Sequence, residues 1–191
     1  METKNIMIVG VGGQGSLLAS KLLGRLLLDE GYDVKVSEVH GMSQRGGSVV
    51  TFVRYGDSVA SPVIDKGEAD CIVSFELLEA ARNLPYLKKG GTIVTNIQMM
   101  DPMPVVIGAA EYPENLVEKM EEKGARVDAM DCLKLAEEAG SLKAVNLVLM
   151  GRLSHYFDFS DEAWDKAIEA CVPPKFLEIN QKAFALGKNK E

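Results

Sequence analysis

The sequence is poor in the features that mark disulfide-bonded and metal-binding proteins. Its three cysteines, Cys71, Cys132 and Cys171, are far apart and odd in number. This pattern argues against a disulfide framework and against an iron–sulfur cluster, which needs several closely spaced cysteines. The two histidines, His40 and His155, show no metal-ligand spacing. We therefore expect no metal site or cluster in this chain, and cysteines that act as small buried residues.

Long apolar runs and an excess of basic charge are also missing. No run approaches the roughly 18 residues that a membrane span needs, and residues 1–5 lack the pattern of a signal peptide. With 21 Lys and Arg against 28 Asp and Glu, the net charge is −7. Neither a nucleic acid nor an anionic membrane is therefore an expected partner. Together with the unpaired cysteines, these absences predict a cytoplasmic protein.

Apolar residues and glycines, by contrast, are plentiful. Hydrophobic residues make up 47% of the 191 residues, enough for a core without disulfides or metals. There is no internal repeat, low-complexity stretch or clear linker. We expect a single domain over residues 1–191, in which residues 143–191 form a helical C-terminal part.

The order of apolar segments predicts a Rossmann-like, doubly wound α/β fold with a mostly parallel sheet. Ile6–Val9 is typical of a buried strand, Leu18–Leu27 has a wide apolar face at helical spacing, and Val34–Val39 is a second strand. These three segments form a βαβ unit. Further strands are predicted at 48–55, 71–75, 92–95, 104–107 and 126–130.

Helices are predicted between these strands and throughout the C-terminal part. Asp131 and Ser160 are candidate N-caps, because their short side chains can accept hydrogen bonds from the first turn of a helix. Glycines that follow apolar helical segments are expected at helix ends. These glycines are Gly31, Gly124, Gly140 and Gly187.

A glycine turn connects the first strand to the first helix. It contains Gly10, Gly12, Gly13, Gln14 and Gly15, which fit the pattern G-x-G-x-x-G. Such a turn lets phosphates approach the backbone at the start of a helix. Glu38, at the end of the second strand, is a candidate for the acid that binds a ribose in dinucleotide sites. Two interpretations stay open: a nicotinamide or flavin site, or glycines that only let the helix pack closely on the sheet.

A second, polar glycine loop follows the second strand. It contains Ser43, Gln44, Arg45, Gly46 and Gly47. Because ligands of open α/β sheets bind at the carboxyl ends of strands, both loops are expected at one edge. Arg45 could hold a carboxylate or phosphate with two parallel hydrogen bonds, or it could be a solvated residue of a tight turn. His40, beside the loop, is a candidate proton-transfer group or a structural histidine.

The two loops together resemble a known family. The segments GVGGQG at 10–15 and EVHGMSQRGGSV at 38–49 are similar to the gamma-type domain of 2-oxoacid:ferredoxin oxidoreductases, and closest to the small subunit of the indolepyruvate enzymes. The resemblance covers nearly the whole chain. Such enzymes decarboxylate a 2-oxoacid on thiamine diphosphate, pass electrons through iron–sulfur clusters to ferredoxin and release an acyl-CoA.

The resemblance implies that this chain is inactive without a larger partner subunit. The chain has neither clustered cysteines nor a Gly-Asp-Gly segment, so thiamine diphosphate, magnesium and [4Fe-4S] clusters are expected in the partner. Residues 12–15 and 43–47 would then contribute to the binding of coenzyme A or of the 2-oxoacid, for which an aryl pyruvate is the expected substrate. The alternatives are a free-standing Rossmann-like nucleotide-binding or regulatory protein, and a purely structural assembly subunit.

A small methionine cluster does not belong to either loop. Met99, Met100 and Met103 surround Asp101 and Pro102. Methionine fills irregular spaces in cores and is also frequent at adaptable binding surfaces. The cluster is therefore predicted either to fill the core or to line an apolar pocket or a subunit contact.

Overall fold

A computed structural model describes residues 2–41 and 46–189 and contains a six-stranded sheet. The strands are β1 (Lys4–Val11), β2 (Asp33–His40), β3 (Ser48–Gly56), β4 (Ala69–Ser74), β5 (Leu87–Asn96) and β6 (Arg126–Met130). The helices are α1 (Ser16–Asp29), α2 (Leu77–Asn83), α3 (Met103–Val106), α4 (Leu116–Glu122), α5 (Cys132–Ala139), α6 (Val145–Leu153), α7 (Asp161–Cys171) and α8 (Leu177–Asn189). None of these described helices has the length and hydrophobicity needed to cross a membrane.

The strand order is β2-β3-β1-β4-β5-β6, and one strand runs against the others. β1, β4, β5 and β6 pair in parallel, whereas β3 is antiparallel to both of its neighbours, β1 and β2. β2 is therefore parallel to β1 but does not touch it. The predicted α/β class with a mostly parallel sheet is confirmed. The first βαβ unit differs from the simple form, because β3 turns back from β2 and lies between its two strands.

Helices cover both faces of the sheet. Ile6 and Ile8 of β1 pack in a core with α1 and the helices from α5 to α8. Met7 and Val9, which alternate with them, pack in a second core with α2 and α4. This alternation follows from the pleat, which points successive side chains to opposite faces. Each face is apolar because each is covered by helices.

The C-terminal helices form an extra layer on one face, and two glycines set their spacing. Every residue of α6 except Arg152 is buried. A Cβ atom on Gly151 would lie 2.0 Å from the carbonyl oxygen of Phe184, and one on Gly187 would lie 2.0 Å from that of Val148. The backbones of α6 and α8 are thus in direct contact. Gly187 lies inside α8 and not after its end, so that prediction was wrong: the glycine serves the close approach of two helices.

Two other local predictions were also wrong. The strand expected at 104–107 is part of α3, a single helical turn with Pro104 at its start, where a proline suits the first turn of a helix. A Gly-Gly pair also predicts a turn at 90–91, but Gly90 and Gly91 lie within β5, next to an irregularity in its pairing with β4. The predicted N-caps are confirmed: Asp131 accepts a hydrogen bond from the Lys134 N–H at 3.0 Å, and Ser160 accepts one from the Ala163 N–H at 3.2 Å.

The crossing of α6 and α8 gives a test of the fold. We expect Gly151→Ala to lower the free energy of unfolding by about 1–3 kcal/mol or more, because the added methyl group meets backbone atoms that cannot rotate away. The control is Gly24→Ala in α1, where the nearest atom to a new Cβ is the Val36 Cγ2, at 3.7 Å. There we expect a gain of roughly 0.5–1 kcal/mol from helix propensity. Urea unfolding of both variants measures the two effects, and equal stability of the variants would contradict the close crossing.

Candidate functional site

The first glycine loop meets the described end of the second, Gly46 and Gly47, at the carboxyl edge of the sheet. The first leaves the carboxyl end of β1, and the second joins the end of β2 to the start of the reversed strand β3. The Gly12 N–H donates a hydrogen bond to the Gly47 carbonyl at a distance of 2.9 Å, so the loops are in contact. Gly46 and Gly47 are therefore placed beside the first loop. Ser43, Gln44 and Arg45 lie outside the described residues.

An open cleft of about 400 Å³ lies between the first glycine turn and the end of β2. The start of α1 forms one wall, and Gly15 is its N-cap residue, with no side-chain hydrogen bond to the first turn. Backbone N–H groups at such a helix start lack intrahelical partners and favour an anion. The cleft is lined by Gly12, Gly13, Gly15, Ser16, Leu17, Glu38, His40 and Val49.

The fold itself requires glycine at several positions of the first turn. Gly13 and Gly15 have φ angles of 101° and 93°, which other residues adopt only with strain. A Cβ atom on Gly10 would lie 2.9 Å from the Cβ of Phe75, which follows β4. The pattern G-x-G-x-x-G is thus explained in part by backbone geometry and close packing. Both effects keep side chains away from the floor of the cleft.

The side chain of Gln14 bonds inside the protein. Its Oε1 accepts a hydrogen bond from the Val11 N–H at 2.8 Å. Its Nε2 donates to the Phe75 carbonyl at 3.2 Å and to the Gln98 Oε1 at 3.3 Å. Asn96, at the end of β5, donates to the same Phe75 carbonyl at 3.2 Å. Gln14 therefore fastens the glycine turn to the ends of the neighbouring strands, a positioning role that the motif did not indicate.

Glu38 and His40 line the cleft, but their place in the sheet differs from that of a dinucleotide site. In a dinucleotide-binding sheet the acidic residue belongs to the strand beside β1. Here β3 lies between, and since adjacent strands are about 4.8 Å apart, Glu38 stands roughly 10 Å from the line of β1. Both side chains are exposed. Glu38 accepts a long hydrogen bond, 3.4 Å, from the Thr51 hydroxyl.

Two buried acids near the loops were missed by the sequence analysis. Glu76 accepts hydrogen bonds from the Glu79 N–H at 2.8 Å, the Met100 N–H at 3.0 Å and the Tyr112 hydroxyl at 2.5 Å. Burial and this last hydrogen bond raise the pKa of Tyr112. Glu79 accepts from the Ser48 hydroxyl at 2.5 Å, so it ties the start of β3 to α2. The available signal was the position of Glu76 between a strand and a helix, where an acid caps the helix.

The cysteines have the surroundings of packing residues. Cys71 and Cys132 are buried, and Cys171 is half-buried. Burial raises the pKa of the Cys71 thiol to about 12, and it raises the pKa of Cys132 as well. These thiols are therefore protonated and unreactive near neutral pH. Across residues 2–41 and 46–189, no group of His, Cys, Asp and Glu side chains is arranged to hold a metal ion.

Comparison with known proteins identifies relatives along the whole chain. A family model described as pyruvate ferredoxin/flavodoxin oxidoreductase matches residues 5–190. The chain is 47% identical to indolepyruvate oxidoreductase subunit IorB of Pyrococcus horikoshii and 46% identical to that of Thermococcus kodakarensis, covering 98% of this chain and 95% of each relative. Among solved structures, pyruvate oxidoreductase subunit PORC of Thermotoga maritima has the same fold, with a TM-score of 0.77, 20% identity, and coverage of 100% of this chain and 97% of that one. These matches do not support the free-standing nucleotide-binding alternative.

The hydrogen bonds of Gln14 give the test for this site. We expect Gln14→Glu to lower the free energy of unfolding by about 1–3 kcal/mol, because a carboxylate can still accept from Val11 but cannot donate to Phe75 or Gln98. The matched control is Gln181→Glu in α8, a half-buried residue in a helix remote from the turn in sequence. Thermal unfolding of the two variants measures the difference. A variant at position 14 as stable as the control would show that the amide does not hold the turn.

Proposed function

Because the chain belongs to the pyruvate ferredoxin/flavodoxin oxidoreductase family, we propose that it is the cluster-free subunit of a 2-oxoacid:ferredoxin oxidoreductase. The observation that carries the proposal is the near full-length similarity to two indolepyruvate oxidoreductase subunits. Indolepyruvate or another aryl pyruvate is the proposed substrate. The oxoacid loses carbon dioxide, its acyl group passes to coenzyme A, and the electrons pass to ferredoxin. The proposed location is the cytoplasm.

The cofactors of this reaction are assigned to a larger partner subunit. Its thiamine diphosphate and magnesium supply the decarboxylation chemistry, and its [4Fe-4S] clusters carry the electrons to ferredoxin. Among the described residues the cysteines are dispersed and no metal-ligand cluster is present, which supports placing the metal ion and the clusters in the partner. The contribution of this chain is therefore to bind and orient a substrate.

The cleft between the first glycine turn and the end of β2 is the proposed binding site. The start of α1 offers uncapped N–H groups, and glycines 12, 13 and 15 let an anionic group approach the backbone. None of the described lining residues is a lysine or arginine. Positive charge would come from the helix start, and we propose that Arg45, which lies outside the described residues, adds a guanidinium group. A phosphate of coenzyme A or the carboxylate of the oxoacid is the group that such a site would hold.

Glu38 and His40 form the opposite side of the cleft. Glu38 would accept hydrogen bonds from hydroxyl or amide groups of coenzyme A, and it would repel a second anion there. The imidazole of His40 can donate or accept a hydrogen bond there. The hydrogen bond between Gly12 and Gly47 joins the two loops, and the hydrogen bonds of Gln14 fix the first loop to the residue that follows β4. A partner subunit seated over the open cleft would complete the site.

The proposed location of all cofactors in the larger subunit gives the primary test of this function. We expect the purified chain to be colourless and to show no 2-oxoacid-dependent dye reduction. The complex that co-purifies with the native chain should have an iron–sulfur absorption band and should reduce ferredoxin with indolepyruvate and coenzyme A. Activity across several 2-oxoacids then identifies the substrate. An iron–sulfur band or dye reduction by the isolated chain would overturn the proposal.

Arg45 gives the test of the proposed binding site. In the assembled enzyme we expect Arg45→Ala to lower kcat/KM roughly ten- to hundred-fold, because one charge-assisted contact is worth about 1.5–3 kcal/mol. The control is Arg25→Ala, which removes an exposed arginine on α1 whose ion pair with Asp29 is on the surface. That change should leave activity unaltered. An Arg45→Ala enzyme that assembles normally and keeps full activity with saturable coenzyme A would exclude a role for the second loop.

A further inference from the structure

The segment after β5 presents an exposed apolar surface at the carboxyl edge of the sheet. We call residues 97–114 the apolar loop; it includes α3 and the predicted methionine cluster. Met103, Val106 and Ile107 are 69%, 65% and 69% exposed, and Ile97 and Met99 are exposed as well. Core filling is therefore not the role of Met99 or Met103. Large apolar side chains grouped on one exposed segment mark an interaction surface.

Buried polar groups hold the apolar loop in place. The carboxylate of Glu76, which is 1% exposed, accepts hydrogen bonds from the Met100 N–H at the start of the loop and from the Tyr112 hydroxyl near its end. The Gln98 side chain accepts a hydrogen bond from Gln14 of the first glycine turn. The loop is thus attached at both ends and stands beside the candidate site. Its shape before binding is set, so little ordering entropy is lost on association.

The charges of the apolar loop favour one kind of partner. The loop contains three acidic residues, Asp101, Glu111 and Glu114, and no lysine, arginine or histidine. A second copy of this chain docked through the same loop would bring like charges together around a two-fold axis, which is unfavourable. A different protein with an apolar patch bordered by lysines and arginines would complement both features.

We propose that the apolar loop is the surface on which the larger, cofactor-bearing subunit docks. The proposal rests on the proposed function, since that function supplies a larger subunit. The loop and the cleft lie at the same edge of the sheet, and Gln98 joins them through Gln14. A subunit that seats its apolar patch on Val106 and Met103 would therefore also face the glycine loops. One contact would thus both dock the larger subunit and complete the cleft.

Association of the two subunits tests the proposal without reference to activity. We expect Val106→Lys and Met103→Lys to weaken the complex by about tenfold or more, because each places a charge in an apolar contact bordered by basic residues. The matched control is Leu28→Lys, at the far end of α1, where the leucine is 58% exposed. We expect Glu111→Lys to slow association mainly at low salt, as removal of a rim charge does. Titration of each variant against the native larger subunit gives the affinities.

The possible outcomes distinguish failure of the proposed docking surface from failure of the proposed function. Thermal unfolding of the isolated variants should match the wild type, because the substituted side chains are exposed, and lost binding then reflects the contact itself. If the wild type binds its larger subunit and all variants bind equally well, the surface is wrong and the function stands. If the wild type binds no larger subunit, the function and the surface both fail. If the isolated chain forms a dimer that Val106→Lys separates, the loop binds a second copy and the proposal is overturned.

Discussion

The arrangement of this protein depends on how polar groups are satisfied where its parallel strands end. Strand ends leave backbone donors and acceptors that need partners, because an unpaired buried group costs about 1–3 kcal/mol. Here side-chain amides supply them: Gln14 and Asn96 both donate to the Phe75 carbonyl, and Asn96 accepts from the Cys132 N–H. These bonds connect the ends of β1, β4, β5 and β6. The glycine turn and the apolar loop are both fixed to this connected edge.

The reversed direction of strand β3 also determines the geometry of the site. A strand that runs against its neighbours starts where they end, so the loop that enters β3 lies at the same edge as the loop that leaves β1. The same strand moves Glu38 away from β1 and away from the position of a ribose-binding acid. The reversed strand thus brings the two glycine loops together. It also makes the strand order differ from that of a dinucleotide-binding sheet. A G-x-G-x-x-G turn in this sheet does not require a nicotinamide cofactor.

Local patterns predicted most of the elements and the family, because they depend on residues near one another in sequence. The apolar run at Ile6–Val9, the helical spacing after Leu18 and the caps at Asp131 and Ser160 all lie where expected. The family prediction from the two loops is confirmed by the comparisons. Non-local pairing was not predictable in this way. Nothing near β3 specifies that it inserts between β1 and β2, and nothing near Gly187 specifies that Val148 lies against it.

The candidate site, too, could be predicted only in part from the sequence, for a different physical reason. The sequence indicated which loops converge, but it could not tell which side chains face inward. Gln14 is part of the motif, yet its amide bonds within the protein. Glu76 and Glu79 look like ordinary surface acids of a short helix, and both are buried. Burial of a charged group depends on partners from distant segments, here Met100, Tyr112 and Ser48.

The close crossing of α6 and α8 also bears on how the chain is made. α6 is buried on nearly all sides, and α8 covers one of them. α8 is the last helix to be made, so until it docks, that side of α6 is uncovered and can bind other nascent chains. The glycine contacts form only when the later helix arrives, and they admit no bulkier substitute. A chain that ended before α8 would therefore leave one side of α6 exposed and prone to aggregation.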